Sequence, residues 1–288
     1  MHGEDSLSPS LLARLSAALQ GEVSFVRALG GGDINQAGLV SLDGQPVFVK
    51  WNPNPVPGMF ACEAEGLGAL RDTHTLRVPE PIAWGEDFLA MEYLPLPRAR
   101  RDFGEELGRG LAALHRVTAR RHGFHQDNVL AVLPQPNAWT DSWVAFWGHR
   151  RLAHFGRIAL ERGQLASDTF AALERLIARL GTLIPAHPPA SRLHGDLWSG
   201  NVVPAPDGAP ALVDPAVYHG HREVDLAMSE LFGGFSASFY AAYRESWPLE
   251  PGYERRRIVY QIAPLLVHAI LFGGPYEGQV ASALSRLS

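Results

Sequence analysis

Lysine and cysteine are almost absent from this 288-residue chain. Of its 25 basic residues, 24 are arginines and only Lys50 is a lysine. The single cysteine, Cys62, cannot form an internal disulfide, which excludes a small disulfide-stapled scaffold and fits a reducing compartment. Where arginine serves as the general surface cation, the remaining lysine is a candidate for contacting a phosphate as a compact point charge. Chance survival of one lysine on an exposed strand is the alternative.

Long apolar runs and an excess of positive charge are also missing. The most apolar stretch, residues 262–272, is shorter than the roughly 18 residues of a membrane span and contains Pro264 and His268. The net charge of −5 gives no electrostatic reason to expect a nucleic-acid partner. The acidic first residues lack the basic and then apolar pattern of a secretory signal. The sequence therefore predicts a globular, cytoplasmic protein without a membrane or nucleic-acid partner, and it leaves the oligomeric state open.

The order of the secondary-structure patterns predicts an α+β fold in two lobes. Strand-like patterns dominate the first 93 residues, and helical patterns dominate the rest. Leu94-Pro95-Leu96-Pro97 breaks regular structure and is the predicted connector. We therefore place a small β-rich lobe at 1–93 and a larger α-helical lobe at 94–288. The predicted helices are 9–20, 59–71, 103–117, 143–162, 167–183, 224–232, 236–245 and 254–272, and the predicted strands are 23–29, 37–42, 46–51, 81–84, 88–93, 201–203 and 211–213.

The loop His194–Asn201 has the sequence HGDLWSGN. An aspartate and an asparagine five residues apart on a loop can converge on one reaction centre, where Asp196 accepts a proton from a hydroxyl and Asn201 offers an oxygen to Mg²⁺. Asp214 ends the second strand of the hairpin that follows and can return beside Asn201. Magnesium needs few protein ligands, all of them oxygens. His-Gly-Asp alone is more often an ordinary turn, but the three residues together predict a phosphoryl-transfer site.

A glycine-rich turn and the lone lysine lie in the strand-rich part. The turn, Gly30-Gly31-Gly32-Asp33-Ile34-Asn35, would let backbone N–H groups approach phosphate oxygens, although such a run alone is more often a tight turn. Lys50 ends the third predicted strand, and Glu63 lies in the next predicted helix. A strand lysine held by a helix glutamate can bind nucleotide phosphates. Glu65 is the competing partner for this lysine.

Taken together, these residues resemble the protein-kinase-like fold of small-molecule kinases and, within it, the fructosamine/ketosamine-3-kinase family. The resemblance covers nearly the whole chain and places the helix glutamate at Glu63. Gln126 departs from the family, which usually carries an acidic residue there, so the role of that loop stays open. The strings that carry the resemblance are GFHQDNVL from Gly123, PQPNAWTDSW from Pro134, HGDLWSGN from His194 and DPAVYHGHREVDLAM from Asp214.

The resemblance implies an ATP-dependent kinase that phosphorylates the 3-hydroxyl of a ketosamine, the rearranged adduct of a sugar and an amine. The product sheds its sugar, so the implied role is deglycation repair. The lobe at 1–93 then binds the nucleotide, and the lobe at 94–288 carries the catalytic and acceptor groups. ATP and Mg²⁺ are the expected cofactors, and a small or protein-bound ketosamine is the expected partner. The candidate residues are Asp196 as catalytic base; Gly30, Gly31, Gly32, Asn35, Lys50, Glu63, Met91, Glu92 and Tyr93 for the nucleotide; Asn201 and Asp214 for the metal; and Trp198, Asp141, Trp143 and Tyr218 for the acceptor.

Several candidates have a structural alternative. Trp198 either covers the acceptor sugar or is buried under its loop, and Asp141 and Trp143 either line the acceptor pocket or pack at the start of a helix. His219-Gly220-His221 is a weak zinc pattern because it lacks a third ligand. We expect Asp225 to accept hydrogen bonds from the catalytic-loop backbone.

Two other functions stay open at this point. An aminoglycoside or choline-type phosphotransferase shares the His-Gly-Asp…Asn pattern and the later aspartate, but not the Trp-Thr-Asp-Ser-Trp string. A non-catalytic nucleotide-binding scaffold is disfavoured, because Lys50, Asp196, Asn201 and Asp214 are all present.

Overall fold

The structure is a computed structural model, and it describes residues 7–30, 34–95 and 97–288. Its N-terminal part is a five-stranded antiparallel sheet with strand order β1-β2-β3-β5-β4. The strands are β1 (Val23–Leu29), β2 (Gln36–Leu42), β3 (Gln45–Trp51), β4 (Pro81–Trp84) and β5 (Phe88–Glu92), and the helices of this part are α1 (Pro9–Leu19) and α2 (Met59–Arg71).

The hairpin between β2 and β3 determines which way Lys50 points. Asp43 and Gly44 both have positive φ, the backbone of a two-residue turn that matches strand twist. Along β3, Val47 and Val49 are buried in a cluster with α1 on one face of the sheet. Because alternate side chains face opposite sides, Lys50 lies on the other face, where α2 packs. A register shift of one residue would turn this lysine away from the site.

The C-terminal part is mostly helical, with short strands between the helices. A three-stranded sheet has the order β12-β9-β6, and two hairpins pair β7 with β8 and β10 with β11. Its helices are α3 (Phe103–His115), α4 (Trp143–Trp147), α5 (His154–Glu161), α6 (Ser167–Ala178), α7 (Glu223–Ser229), α8 (Ala237–Ser246), α9 (Tyr253–Phe272) and α10 (Tyr276–Leu287). Its strands are β6 (Thr118–Ala119), β7 (Asn128–Leu130), β8 (Leu133–Gln135), β9 (Ala190–Leu193), β10 (Val202–Pro204), β11 (Pro210–Leu212) and β12 (Tyr218–Gly220).

One hydrophobic core joins the two parts. Phe60 and Leu67 of α2 belong to the same buried cluster as the C-terminal helices. Across the junction, the Leu212 backbone N–H donates a hydrogen bond of 2.8 Å to the Arg77 carbonyl. The sheet at the N-terminal end and the helices at the C-terminal end confirm the predicted α+β class, whereas the boundary at residue 93 stays a prediction. No helix in the described ranges is long and apolar enough to cross a membrane.

Several predicted elements differ in the structure. The helix predicted over 143–162 is interrupted by a π-helical segment, Gly148–Ala153, between α4 and α5. The helix predicted over 167–183 ends at Ala178 and is followed by a 3₁₀ turn, Leu180–Thr182. Asp102 precedes α3, but its side chain makes no capping hydrogen bond. Helix α10 and five strands of two to four residues, β6 to β9 and β12, were not predicted from the sequence.

Candidate active site

A cavity of about 520 Å³ lies where the sheet and α2 face the C-terminal helices. One end is polar and the other is apolar and aromatic. The polar end is lined by Asn35, Lys50, Glu63, Asp196, Asn201 and Asp214, and the apolar end by Trp198, Met228, Phe232, Pro264, Val267, His268, Leu271, Phe272 and Tyr276. Lys50 and Asp214, which lie 164 positions apart in the chain, therefore meet in one space.

Lys50 bridges two carboxylates at the polar end. Its Nζ donates to Glu63 Oε1 at 2.7 Å and also to Asp214 Oδ1. Burial alone would lower the pKa of Lys50, but the charges of Asp214 and Glu63 outweigh burial and raise it above its usual value. The lysine is therefore a fixed cation at neutral pH. Glu65 is engaged elsewhere, with His125 and Gln126.

A buried aspartate at the start of α7 fixes the loop His194–Asn201. The carboxylate of Asp225 accepts hydrogen bonds from the backbone N–H groups of His194 (2.7 Å) and Gly195 (3.0 Å). The same carboxylate lies 3.1 Å from Nε2 of the fully buried His115. The predicted structural role of Asp225 is thus confirmed. The loop needs a glycine at Gly195, because its φ is +87° and a Cβ atom would lie 2.0 Å from the Ala216 carbonyl oxygen.

Asn201 connects the loop to the hairpin that carries Asp214. Its Nδ2 donates to the backbone carbonyl and to Oδ2 of Asp196, at 2.8 and 3.1 Å. The donating amide leaves the Asn201 side-chain oxygen free for another partner. Asp214 adopts a positive φ of 55°, and its side chain is 43% exposed. An amide oxygen and a partly exposed carboxylate are hard oxygen donors, so these two residues suit Mg²⁺.

Asp196 lies in a strongly negative environment. Burial and the neighbouring charge of Asp214 raise the pKa of Asp196 to about 7, although the hydrogen bond from Asn201 opposes the shift. Three carboxylates, those of Glu63, Asp196 and Asp214, share this end of the cavity with Lys50, the one cation among the described residues that line it. A bound divalent cation would offset the surplus negative charge.

The apolar end is built around His268. The rings of Phe232, Tyr276 and Phe272 lie 4.4, 5.1 and 5.5 Å from the His268 ring. His268 Nδ1 lies 2.8 Å from the Pro264 carbonyl, and burial lowers its pKa, so the imidazole is neutral at pH 7. Phe272 is 50% exposed and forms the rim. This end offers ring faces and a neutral imidazole to a ligand.

The four residues predicted to bind the acceptor lie in different places in the structure. Trp198 lines the cavity and is 38% exposed. Tyr218 is buried and lines a second, smaller cavity that Asp196 also lines. Asp141 and Trp143 line neither of these two cavities, so their contact with the acceptor stays a prediction that the structure does not support. The Asp141 side chain is 80% exposed and pairs with Arg121, and the Trp143 ring is fully buried in the core.

Only some of the residues predicted to bind the nucleotide line the cavity. Asn35 lines the cavity and accepts a hydrogen bond of 3.0 Å from Asn52. Met91 is buried in the main core, Glu92 pairs with Arg77, and Tyr93 is half-buried; their side chains do not line the cavity. A nucleotide contact through the backbone of 91–93 stays a prediction. Gly30 is exposed, whereas Gly31 and Gly32 lie outside the described residues.

Other residues correct the sequence interpretation. His219 and His221 are bonded to Arg192 and Tyr260, and the described ranges contain no group of three residues suited to hold a metal through His, Cys, Asp or Glu. No site residue was predicted on α9, although Pro264, His268 and Phe272 of this helix line the cavity. Their spacing of four residues along one helix face is the signal that could have identified them.

Comparison with known proteins shows which family the chain is similar to. The fructosamine kinase family profile matches residues 11–288. A probable ketoamine kinase from Synechocystis is 41% identical over 90% of this chain and 89% of its own length. A chloroplastic protein-ribulosamine 3-kinase from rice is 36% identical over 98% of this chain and 83% of its own.

Solved structures show the same relationship. A crystal structure of a candidate fructosamine-3-kinase from Thermobifida fusca superimposes with a TM-score of 0.88, at 34% identity over 97% of this chain and all of the other. An aminoglycoside phosphotransferase, at 13% identity over 96% of this chain and 97% of the other and a TM-score of 0.62, shares the fold alone. The family match over nearly the whole sequence and the close agreement of the structures lead to one conclusion: the chain belongs to the fructosamine kinase family.

Proposed function

We propose that this protein is an ATP-dependent kinase that phosphorylates the 3-hydroxyl of ketosamines. The observation that carries the proposal is the convergence of Lys50, Asp196, Asn201 and Asp214 on one cavity that continues into an aromatic acceptor end. The names of the related ketoamine and ribulosamine kinases support the acceptor class. The kinase would work in the cytoplasm, where it would remove sugars from glycated amines.

Asp196 acts on the acceptor in this proposal. Its carboxylate orients the 3-hydroxyl and takes its proton while the hydroxyl oxygen forms a bond to the γ-phosphorus of ATP. The bond between that phosphorus and the β–γ bridging oxygen breaks, and ADP leaves. Lys50 holds phosphate oxygens in line, since it is already protonated and fixed by Glu63. Positioning and charge stabilisation supply most of the acceleration in such transfers.

Asn201 and Asp214 would hold Mg²⁺. When bound, the ion would supply positive charge that offsets the surplus carboxylate charge and stabilises the charge of the phosphates. Asp214 also accepts a hydrogen bond from Lys50, so one carboxylate would contact both the lysine and the metal. This arrangement couples the position of the nucleotide phosphates to that of the metal.

A panel of acceptors tests the proposal. Purified protein with ATP and Mg²⁺ is offered synthetic ribulosamine and fructosamine adducts of Nα-acetyl-lysine, and transfer is followed by ADP release and by mass spectrometry of the product. We expect one phosphate on the 3-hydroxyl of at least one ketosamine. Turnover of an aminoglycoside or choline with no ketosamine turnover would establish the alternative acceptor class. Binding of ATP without transfer to any acceptor would favour a scaffold.

A further inference from the structure

A second cavity of about 30 Å³ lies behind Asp196, and the site described above does not use it. Asp196, Leu130, Met228, Pro264 and Val267 line both cavities, so the two spaces adjoin. We define this space as the rear pocket. It has room for about one water molecule or one hydroxymethyl group.

The rear pocket is lined by a buried cation, Arg151, that pairs with no carboxylate of the described residues. Arg151 is 2% exposed, and its guanidinium carbon lies 4.3 and 4.7 Å from the ring centroids of Tyr218 and Phe146. Its Nη atoms donate to the Pro136 carbonyl and the Asn137 side chain, both at 2.7 Å. Its Nε is buried with no hydrogen-bond partner among the described residues. A buried donor without a partner is costly and marks a place for a polar ligand atom.

One side of this pocket is formed by an unusual backbone conformation. Arg151 lies on the π-helical segment Gly148–Ala153. Such segments are rare in proteins overall, but those that occur are often found at functional sites. Tyr218 and Gln135 add two further polar groups to the lining. Burial raises the pKa of Tyr218 to about 12, so its hydroxyl stays protonated and can donate a hydrogen bond.

The chemistry of a ketosamine indicates what enters the rear pocket. The reacting hydroxyl must lie at Asp196, with the amine on one side of it in the carbon chain and the sugar tail on the other. The amine substituent has no fixed size when it belongs to a protein, so it needs the open end at Phe272. The sugar tail is short and ends in a hydroxyl, which suits a small, closed and polar space.

Resting on the proposed function, we propose that the rear pocket binds the terminal hydroxyl of the ketosamine sugar through Arg151 and Tyr218 and thereby selects sugar length. A five-carbon sugar places its last hydroxyl at these groups. A six-carbon sugar brings one more hydroxymethyl group than the pocket can hold, and a four-carbon sugar does not reach the pocket floor.

The experiment compares ketosamines of four-, five- and six-carbon sugars on the same amine, Nα-acetyl-lysine. For the wild-type protein we expect kcat/KM at least ~10-fold higher for the five-carbon than for the six-carbon adduct. Tyr218→Phe keeps the ring and removes the hydroxyl, so kcat/KM should fall ~10-fold for the five-carbon adduct and less than ~2-fold for the four-carbon adduct. Val224→Ala enlarges the pocket and should shift the ratio ~10-fold towards the six-carbon adduct.

The controls separate specificity from folding. Tyr253→Phe removes a buried hydroxyl that contacts Glu230 outside both cavities and should leave all sugar ratios unchanged. An equal loss for all three adducts in Tyr218→Phe would show a structural role only, and unchanged ratios in both pocket variants would show a water site only. Either result overturns the inference.

Binding distinguishes failure of the rear pocket from failure of the proposed function. Calorimetry with ADP present gives the Kd of each adduct, whether or not phosphate is transferred. If no ketosamine is phosphorylated, the proposed function is wrong, and the rear pocket is then judged from these Kd values. A Kd that does not depend on sugar length, or no binding at all, would refute the pocket assignment.

Discussion

At the scale of single residues, Lys50 combines charge with a compact shape. Its Nζ contacts Glu63 and Asp214 together, and its side chain is 11% exposed. A guanidinium carries the same charge but is larger and planar, so it cannot occupy the same position between two carboxylates. We expect Lys50→Arg to lower kcat by at least ~100-fold with little change in melting temperature, as measured by ADP release and calorimetry. Near wild-type turnover would contradict the assignment.

Asp196 is expected to take a proton and not to bind the nucleotide, and the substitution Asp196→Asn tests this role alone. Asp196→Asn keeps the size of the side chain and removes its ability to take a proton. We expect transfer to fall by ~10²–10⁴-fold while the Kd for ATP changes little, because the nucleotide is held by other groups. Steady-state kinetics and equilibrium nucleotide binding check the two parts separately. A large loss of ATP affinity would show that Asp196 belongs to the nucleotide site.

Gly195 permits the close approach of the catalytic loop to residue 216. A Cβ atom here would meet the Ala216 carbonyl, and the backbone is in the left-handed region. Gly195→Ala should therefore displace Asp196, lower kcat at least ~10-fold and destabilise the fold by roughly 1–3 kcal/mol. Gly181→Ala is the matched control, since nothing lies within 4 Å of its Cβ position. Equal effects of the two substitutions, measured by turnover and urea unfolding, would be the contrary result.

At the scale of elements, α1 stabilises the sheet from the face opposite the site. Leu15 is fully buried in a cluster with Val40, Val47 and Val49. Leu15→Ala should cost about 3 kcal/mol of unfolding free energy because it leaves a cavity in this cluster. The kcat at 25 °C should stay within about 2-fold of wild type, because α1 does not line the cavity. Leu12→Ala, at a half-buried position, should cost less; urea titrations followed by fluorescence measure both.

The helices and strands also show how much of the fold could be predicted from the sequence. The observed limits of α2 and β4 match the predicted ones. Local patterns sufficed for these two elements, because the signals that define them lie within the segment or directly beside it in the sequence. The π-helical turn and the short strands depend on partners elsewhere in the chain. β12, for example, pairs with β9, about 25 residues earlier in sequence.

The candidate site was predictable to a similar extent. The polar residues stand in recognisable spacings, so Lys50, Asp196, Asn201 and Asp214 could be named before their geometry was known. The apolar end could not, because Phe232 and His268 resemble core residues in sequence. Only the packing of α7 and α9 around an open space distinguishes them from the core. Trp143 is the reverse case, since a residue of a conspicuous motif is fully buried in the core.

At the scale of the whole molecule, the two parts should unfold together. Leu89 and Met91 of the sheet share one buried cluster with α2 and with helices as distant in sequence as α10. Exposing the sheet would therefore also expose core side chains of the C-terminal part, so a single cooperative transition is expected. Hydrogen exchange of β2 and α9 in increasing urea measures this directly. Loss of protection in β2 at a clearly lower urea concentration than in α9 would show two separately folding lobes, and the same midpoint for both segments would show that the nucleotide and acceptor groups are held by one cooperative structure.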